Sequence, residues 1–180
     1  MQIVEVNMLP YYFVFFAIAA RFLPHAGSFN FTPVAASLLF FGARMPRKYA
    51  WIPVAMLIGS DVVLSRFVYG YPLSVSDVVT WAWYAAIVLL GSLLASNSSA
   101  VRVGSASLTA SLSFFAVSNF AVWAFWNMYP KTLPGLAECY AMAIPFFRNT
   151  VVSDLLFAGA FFGIAALLPQ FSRKTQSPTA

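Results

Sequence analysis

The chain has very little charge. Only 8% of its 180 residues are charged, whereas 61% are hydrophobic. A soluble domain carries roughly a quarter charged residues. This chain therefore cannot solvate its own surface in water, and we expect its solvent to be lipid. Each remaining charge must then lie at an interface, be paired, or serve a function.

Cysteine and histidine are almost absent. The single cysteine, Cys139, excludes an internal disulfide framework and any CxxC metal site. The single histidine, His25, has no metal-ligand residues at ligand spacing beside it. The sequence also has no nucleotide-binding loop, GxSxG motif or HExxH motif. We therefore expect no metal, no cofactor and no enzymatic activity.

The basic residues are dispersed. Ten Lys and Arg against five Asp and Glu give a net charge of +5, but the basic residues stand singly or in pairs between apolar runs. That pattern argues against nucleic acid as a partner and is typical of membrane topology signals.

Six continuous apolar runs dominate what is present. They predict an all-α integral membrane protein, a bundle of about six transmembrane helices forming one domain over residues 1–171. A polar, disordered tail is expected over 172–180. The first run has no basic start, so we expect a retained span rather than a cleaved signal peptide. The predicted spans are Met8–Leu23, Pro33–Ala43, Tyr49–Ser65, Asp77–Ser96, Ala106–Trp126 and Asn149–Pro169.

Alternation of these spans places three basic groups on one side. By the positive-inside rule that side is cytoplasmic, so both termini are inside and we expect a multi-pass membrane protein. The tail over 172–180 is then cytoplasmic as well. The three groups are Arg44, Arg47 and Lys48, then Arg102, then Arg173 and Lys174.

Asp61 is the strongest candidate for a functional residue. It lies well inside its predicted span, roughly 18 Å from the start at 1.5 Å per residue. Burying a carboxylate there costs several kcal/mol unless it is paired or hydrated. Asp61 should therefore face the bundle interior, a cavity, or a cation such as Arg21. A structural Asp–Arg pair, a ligand contact and proton coupling all remain open.

Other polar and aromatic residues cluster on the predicted outer side. Asn119 and Trp123 share one helical face, and Asp77 and Trp81 share another, so the two faces could wall a pocket for a flat ring. Interfacial anchoring is the alternative for the tryptophans. The candidate ligand-binding residues are His25, Asn30, Asp61, Asp77, Trp81, Asn119, Trp123, Asn127, Arg148, Asn149 and Asp154.

The segment from Asn127 to Arg148 is predicted to be a long outer loop, with a short helix over Leu133–Ile144 between prolines. Long loops in compact folds are usually lids or binding loops. Asn149 and Asp154 would lie where this loop meets the last span.

Short motifs spread over nearly the whole chain carry a family resemblance. The motifs are Leu23-Pro24-His25, Asn30-Phe31-Thr32-Pro33, Phe41-Gly42-Ala43, Ser60-Asp61, Asn119-Phe120-Ala121-Val122-Trp123, Pro145-Phe146-Phe147-Arg148-Asn149-Thr150 and Asp154-Leu155-Leu156-Phe157. With them the sequence resembles an uncharacterised group of small bacterial membrane proteins described as transport proteins. This resemblance implies a location in the bacterial inner membrane.

The predicted topology also resembles the substrate-binding S components of energy-coupling-factor transporters. That resemblance implies six helices, termini inside and an outward pocket. The implied partners are the lipid bilayer, a small-molecule substrate and a coupling membrane subunit with ATPases, or a second copy of the chain.

The leading hypothesis is a membrane transport protein that binds a small nutrient or vitamin-like solute from outside for uptake. The alternatives are a proton- or ion-coupled small carrier, in which Asp61 and Asp154 are the coupling groups, and a structural membrane subunit that transports nothing.

Overall fold

The computed structural model describes the backbone of residues 8–23 and 30–175, and the side chains as far as residue 168. This part of the chain is helical and contains no strand. The six helices are α1 (Leu9–Arg21), α2 (Val34–Arg44), α3 (Trp51–Val63), α4 (Val75–Ser92), α5 (Ala100–Phe125) and α6 (Leu133–Thr175). A short 3-10 turn, Arg47–Tyr49, precedes α3, and a π-helical turn, Leu64–Val68, follows it.

Four helical segments are long and apolar enough to cross a membrane, which indicates a membrane protein. They are Arg47–Val68, Val75–Ser92, Ala100–Phe125 and Leu133–Leu168. The other two helices, α1 and α2, have 13 and 11 residues. At 1.5 Å per residue they are about 20 and 17 Å long, against a hydrocarbon core of about 30 Å. The prediction of six helices is confirmed, but only four of them have the length of a span.

Helix α2 is the centre of the bundle. Every residue from Val34 to Ala43 is buried, as expected for a helix that is apolar on all sides. It packs against α1, α4, α5 and α6. Phe40 contacts Phe13 and Phe162 edge to face, with ring centroids 5.0 Å apart in both pairs. The sequence predicted a short span here, and the structure shows a core helix.

Glycines bring α2 and α4 into backbone contact. A Cβ at Gly42 would lie 2.0 Å from the carbonyl oxygen of Val88, and a Cβ at Gly91 would lie 2.3 Å from that of Leu39. No other residue type fits these two positions without separating the helices.

Helices α5 and α6 form an antiparallel hairpin. The prediction of a long loop was wrong, because this segment is a turn over 126–132 followed by one continuous helix. The short helix predicted over Leu133–Ile144 is helical, but it continues without a break into the last span. Pro145 lacks an N–H and was expected to break that helix. Packing on α5 keeps the segment helical instead. Phe147 contacts Phe115 at a centroid distance of 4.6 Å, and the Tyr140 hydroxyl donates to the carbonyl of Ala116 at 2.6 Å.

The last helix continues into the predicted tail. Residues 172–175 are helical, whereas we expected disorder from residue 172. Residues 176–180 lie outside the described residues.

The bundle has two chemically different ends. One end has Arg44, Arg47, Lys48 and Arg102 and no acidic residue among the described residues, and we call it the basic end. The opposite end has both signs of charge: Arg21, Arg66, Lys131, Arg148, Asp61, Asp77, Glu138 and Asp154. At the opposite end α1 terminates and α2 begins. There Trp126 donates through Nε1 to Ser76 Oγ at 2.9 Å, which joins the end of α5 to the start of α4.

Candidate functional site

A cavity of about 730 Å³ lies at the end of the bundle opposite the basic end. Its volume is within the range of about 300–1,000 Å³ typical of small-molecule sites. The end of α1 and the start of α2 both line it. Ser153, in the middle of α6, donates to the carbonyl of Thr32 at 2.8 Å. The segment of α6 before Ser153, about 30 Å long, therefore extends beyond α2.

Asp61 is tied to Arg21 on one wall of this cavity. Arg21 forms an ion pair with Asp61 Oδ1 and donates to Ser60 Oγ at 2.7 Å. Trp81 Nε1 donates to Asp61 Oδ2 at 2.9 Å, and the Tyr84 hydroxyl is 3.4 Å from Oδ1. Two of the environments predicted for Asp61 are present at once, because Asp61 is paired with the cation Arg21 and also lines the cavity. The cluster joins α1, α3 and α4.

Asp154 lines the same cavity from the α5–α6 wall. Its side chain is almost completely buried, with 3% of the residue exposed. The Ser111 hydroxyl donates to Asp154 Oδ2 at 2.7 Å. Among the described residues no basic side chain forms an ion pair with Asp154. Arg21, which also lines the cavity, is paired with Asp61 instead. A buried carboxylate that has a hydroxyl partner but no counter-charge is costly in a membrane helix.

Asp77 also lines the cavity, but it has a local structural role. It closes a capping box at the start of α4. Its Oδ2 accepts hydrogen bonds from the backbone N–H of Ser74 at 2.6 Å and from the Ser74 hydroxyl at 2.9 Å. This arrangement satisfies N–H groups at the helix start and accounts for much of the hydrogen-bonding capacity of Asp77.

An aromatic wall completes the cavity. Trp83 and Phe114 contact each other in a tilted arrangement at a centroid distance of 4.8 Å, and both line it. Trp83 Nε1 donates to Ser113 Oγ at 3.0 Å, which joins α4 to α5. Neither ring was predicted from the sequence, because the selected face of α4 was the one that carries Asp77 and Trp81. Ser111 was missed too, since a serine in an apolar helix gives no signal until its partner is known.

The structure brings some of the predicted site residues together. Asn30, Asp61, Asp77 and Asp154 line the main cavity. Asn119 lines a second cavity of about 230 Å³ between α5 and α6. Its amide donates to the carbonyl of Phe115, one turn earlier, at 2.8 Å. Asn30, Phe114 and Thr150 line both cavities, which are therefore adjacent.

The other predicted residues that the structure describes line neither cavity. Trp81 does not line the main cavity but donates a hydrogen bond to Asp61, which does. Trp123 donates to the carbonyl of Pro130 at 2.9 Å in the α5–α6 turn. Asn127 and Arg148 are exposed and Asn149 is half-buried. The predicted wall of Asn119 and Trp123 does not form because this part of α5 packs against the start of α6. His25 lies outside the described residues.

Within 8–23 and 30–175, no three His, Cys, Asp or Glu side chains lie close enough together to hold a metal ion. What the main cavity offers chemically is one ion pair, one buried carboxylate without a counter-charge, and aromatic faces.

The model of a family described as "Family of unknown function (DUF6580)" matches residues 2–178. The chain belongs to this family. The match includes all six helices, so both walls of the cavity lie within the region that defines a DUF6580 chain. No curated protein matches the chain, and no solved structure matches it.

Proposed function

We propose that this DUF6580 protein is a membrane transport protein that binds a small solute in its main cavity. One observation carries the proposal: a cavity of about 730 Å³ inside a bundle of apolar helices, lined by Arg21, Asp61 and Asp154. Charged side chains within membrane helices are rare and face substrate pathways or one another. A purely structural bundle would fill this space with apolar side chains.

The charge distribution supports an orientation for this function. The basic end, with Arg44, Arg47, Lys48 and Arg102, would lie in the cytoplasm. The cavity then faces outward, both termini are inside, and a nutrient enters from the outer side of a bacterial inner membrane. Together with the four long spans, α1 and the central helix α2 make six helices, the number found in the S components that the predicted topology resembles.

The energy source would come from outside this chain. The sequence has no nucleotide-binding loop, so use of ATP requires a coupling membrane subunit with ATPases. A second copy of the chain is the other partner that we consider.

The runner-up is a proton- or ion-coupled carrier, and Asp154 supports it. A carboxylate that is 3% exposed and has no counter-charge among the described residues can hold a proton or a cation in exchange with the cavity. This function predicts solute flux in vesicles that contain only this protein, and the flux should respond to an imposed proton or ion gradient. Transport as a binding subunit predicts no flux without the coupling partner.

The test is a thermal-shift screen of the detergent-purified protein against vitamins, nucleobases, amino acids and amines. A ligand at 100 times its Kd stabilises the folded state by about 2.7 kcal/mol. For a chain of this length that raises the Tm by roughly 5–10 °C.

Two variants on α4 make the screen specific. Thr80 lines the cavity, whereas Val78 is exposed and does not. We expect Thr80→Trp to reduce the shift by narrowing the cavity and Val78→Trp to keep it. If no compound shifts a well-folded sample, or if Thr80→Trp leaves the shift as large as Val78→Trp does, binding in this cavity is refuted.

A further inference from the structure

The charges that line the main cavity do not balance. Its described lining contains the carboxylates of Asp61, Asp77 and Asp154 but only one basic side chain, Arg21. Arg21 is paired with Asp61. Within the described residues neither Asp77 nor Asp154 has a basic partner. Asp77 is half-buried and accepts hydrogen bonds from Ser74 at the start of α4, whereas Asp154 is almost completely buried.

The helices packed against α6 do not supply a cation to Asp154 within their described residues. The charged residue of α5 is Arg102, whose guanidinium donates to the carbonyl of Leu93 at 2.8 Å. It precedes Ser111 by nine positions, about 14 Å along the helix. The charged residue of α2 is Arg44, which lies over the rings of Phe40 and Phe162 at the basic end.

The basic residue nearest to Asp154 along its own helix does not supply the cation either. Arg148 is exposed and lines neither cavity. It precedes Asp154 by six positions, which places it on a different face of the helix, whereas Thr150, four positions before Asp154, shares its face. Thr150 lines the cavity with Asp154.

The rest of the wall suits a positively charged solute. Trp83, Tyr84 and Phe114 line the cavity together with Asp154, and aromatic faces attract ammonium groups, most strongly away from water. Asp61 already accepts hydrogen bonds from Arg21, Trp81 and Tyr84. Asp154, with the hydroxyl of Ser111 as its described partner, has acceptor capacity left for a ligand.

We propose that the solute is an organic cation with a protonated amine, and that the Asp154 carboxylate binds its ammonium group beside the aromatic wall. This inference rests on the proposed function, because it names the chemical class of ligand for the same cavity. Ser111 is a positioning residue in this arrangement, since it holds one carboxylate oxygen and leaves the other for the amine.

The experiment compares three probes of similar shape: phenethylamine, 2-phenylethanol and 3-phenylpropionate. Their affinities for the detergent-purified full chain are measured by calorimetry. We expect the amine to bind at least about tenfold more tightly than the alcohol and the carboxylate to bind most weakly, because a desolvated charge pair is commonly worth more than that factor. Asp154→Asn should remove the preference for the amine and leave binding of the alcohol unchanged.

The control variant is Glu138→Gln. Glu138 is exposed and lines neither cavity, so its loss changes net charge by the same amount and should leave the preference intact. Equal binding of amine and alcohol, or a preference that survives Asp154→Asn, overturns the inference. If none of the three probes binds, the inference is also overturned, while the wider screen still decides the proposed function.

A second measurement does not depend on an Asp154 variant being stable. In Thr150→Cys, made in a background without the native cysteine, the new thiol lies one turn from Asp154 in the cavity. We expect a cationic aminoethyl thiosulfonate to label it at least about tenfold faster than an anionic sulfonatoethyl reagent, relative to the same ratio for a free thiol, because the described lining of the cavity has more acidic than basic side chains. A ratio equal to that of the free thiol contradicts the inference.

Discussion

Replacing Arg21 with methionine removes the positive charge from the α1–α3–α4 cluster and leaves the Asp61 carboxylate in place. Methionine keeps an unbranched side chain, so the loss of packing is small. The carboxylate would retain its hydrogen bonds from Trp81 and Tyr84 but would lose its counter-ion. In Arg21→Met we therefore expect a large fall in the free energy of unfolding.

The magnitude follows from the burial of the pair. Removing one partner of a buried ion pair costs about 3–5 kcal/mol, because the other charge is left buried and uncompensated. The side chains of Arg21 and Asp61 are 18% and 10% exposed, and both border a cavity that admits water. We therefore expect the lower end of that range, about 3 kcal/mol.

The assay is denaturant unfolding in detergent, in a double-mutant cycle with Asp61→Asn. The double variant has no unpaired charge, so it should lose less stability than the sum of the two single variants. Arg66→Met is the matched control, because Arg66 is exposed in the π-helical turn that follows α3. If Arg21→Met destabilises no more than Arg66→Met, or if the two single effects simply add, the ion pair does not hold this wall together.

Two further predictions concern packing and topology. Gly91→Val should lower the free energy of unfolding by about 1–3 kcal/mol or more, because the added Cβ would lie 2.3 Å from the carbonyl oxygen of Leu39. The control is Gly104→Val, where the added Cβ meets no neighbouring atom within 4 Å. It should lower the free energy of unfolding far less in the same assay. In intact cells, Asn127→Cys in the α5–α6 turn should react with a membrane-impermeant maleimide and Asn97→Cys, between α4 and α5, should not; the reverse labelling would invert the proposed orientation.

The positions of most helices followed from the sequence because apolar runs and their charged boundaries are local signals. The predicted span Tyr49–Ser65 lies within the helical segment Arg47–Val68, and the predicted Asp77–Ser96 overlaps α4 over most of its length. The pairing of Asp61 with Arg21 was also accessible, because a carboxylate deep in an apolar span needs a partner and few cations are available.

The start of α6 and the aromatic wall were not accessible in this way. Pro145 predicts a helix boundary by a local rule, and only the contacts of Tyr140 and Phe147 with α5 override it. Trp83 and Phe114 look like lipid-facing or core aromatics until the neighbouring helices are placed. The selection of Asn119 and Trp123 for the main cavity failed for the same reason, since helical periodicity shows which residues share a face but not what that face meets.

By itself the sequence determined the solvent and the class of this protein, because a chain with 8% charged residues cannot solvate its surface in water and its continuous apolar runs satisfy their backbone in lipid as helices. The tertiary structure decided that α2 is the core of the bundle and that the end of α1 and the start of α2 border a cavity. It also decided that Asp154 lines this cavity with no basic partner among the described residues. These features depend on how helices distant in sequence pack together, and local patterns of hydropathy and charge do not encode that packing.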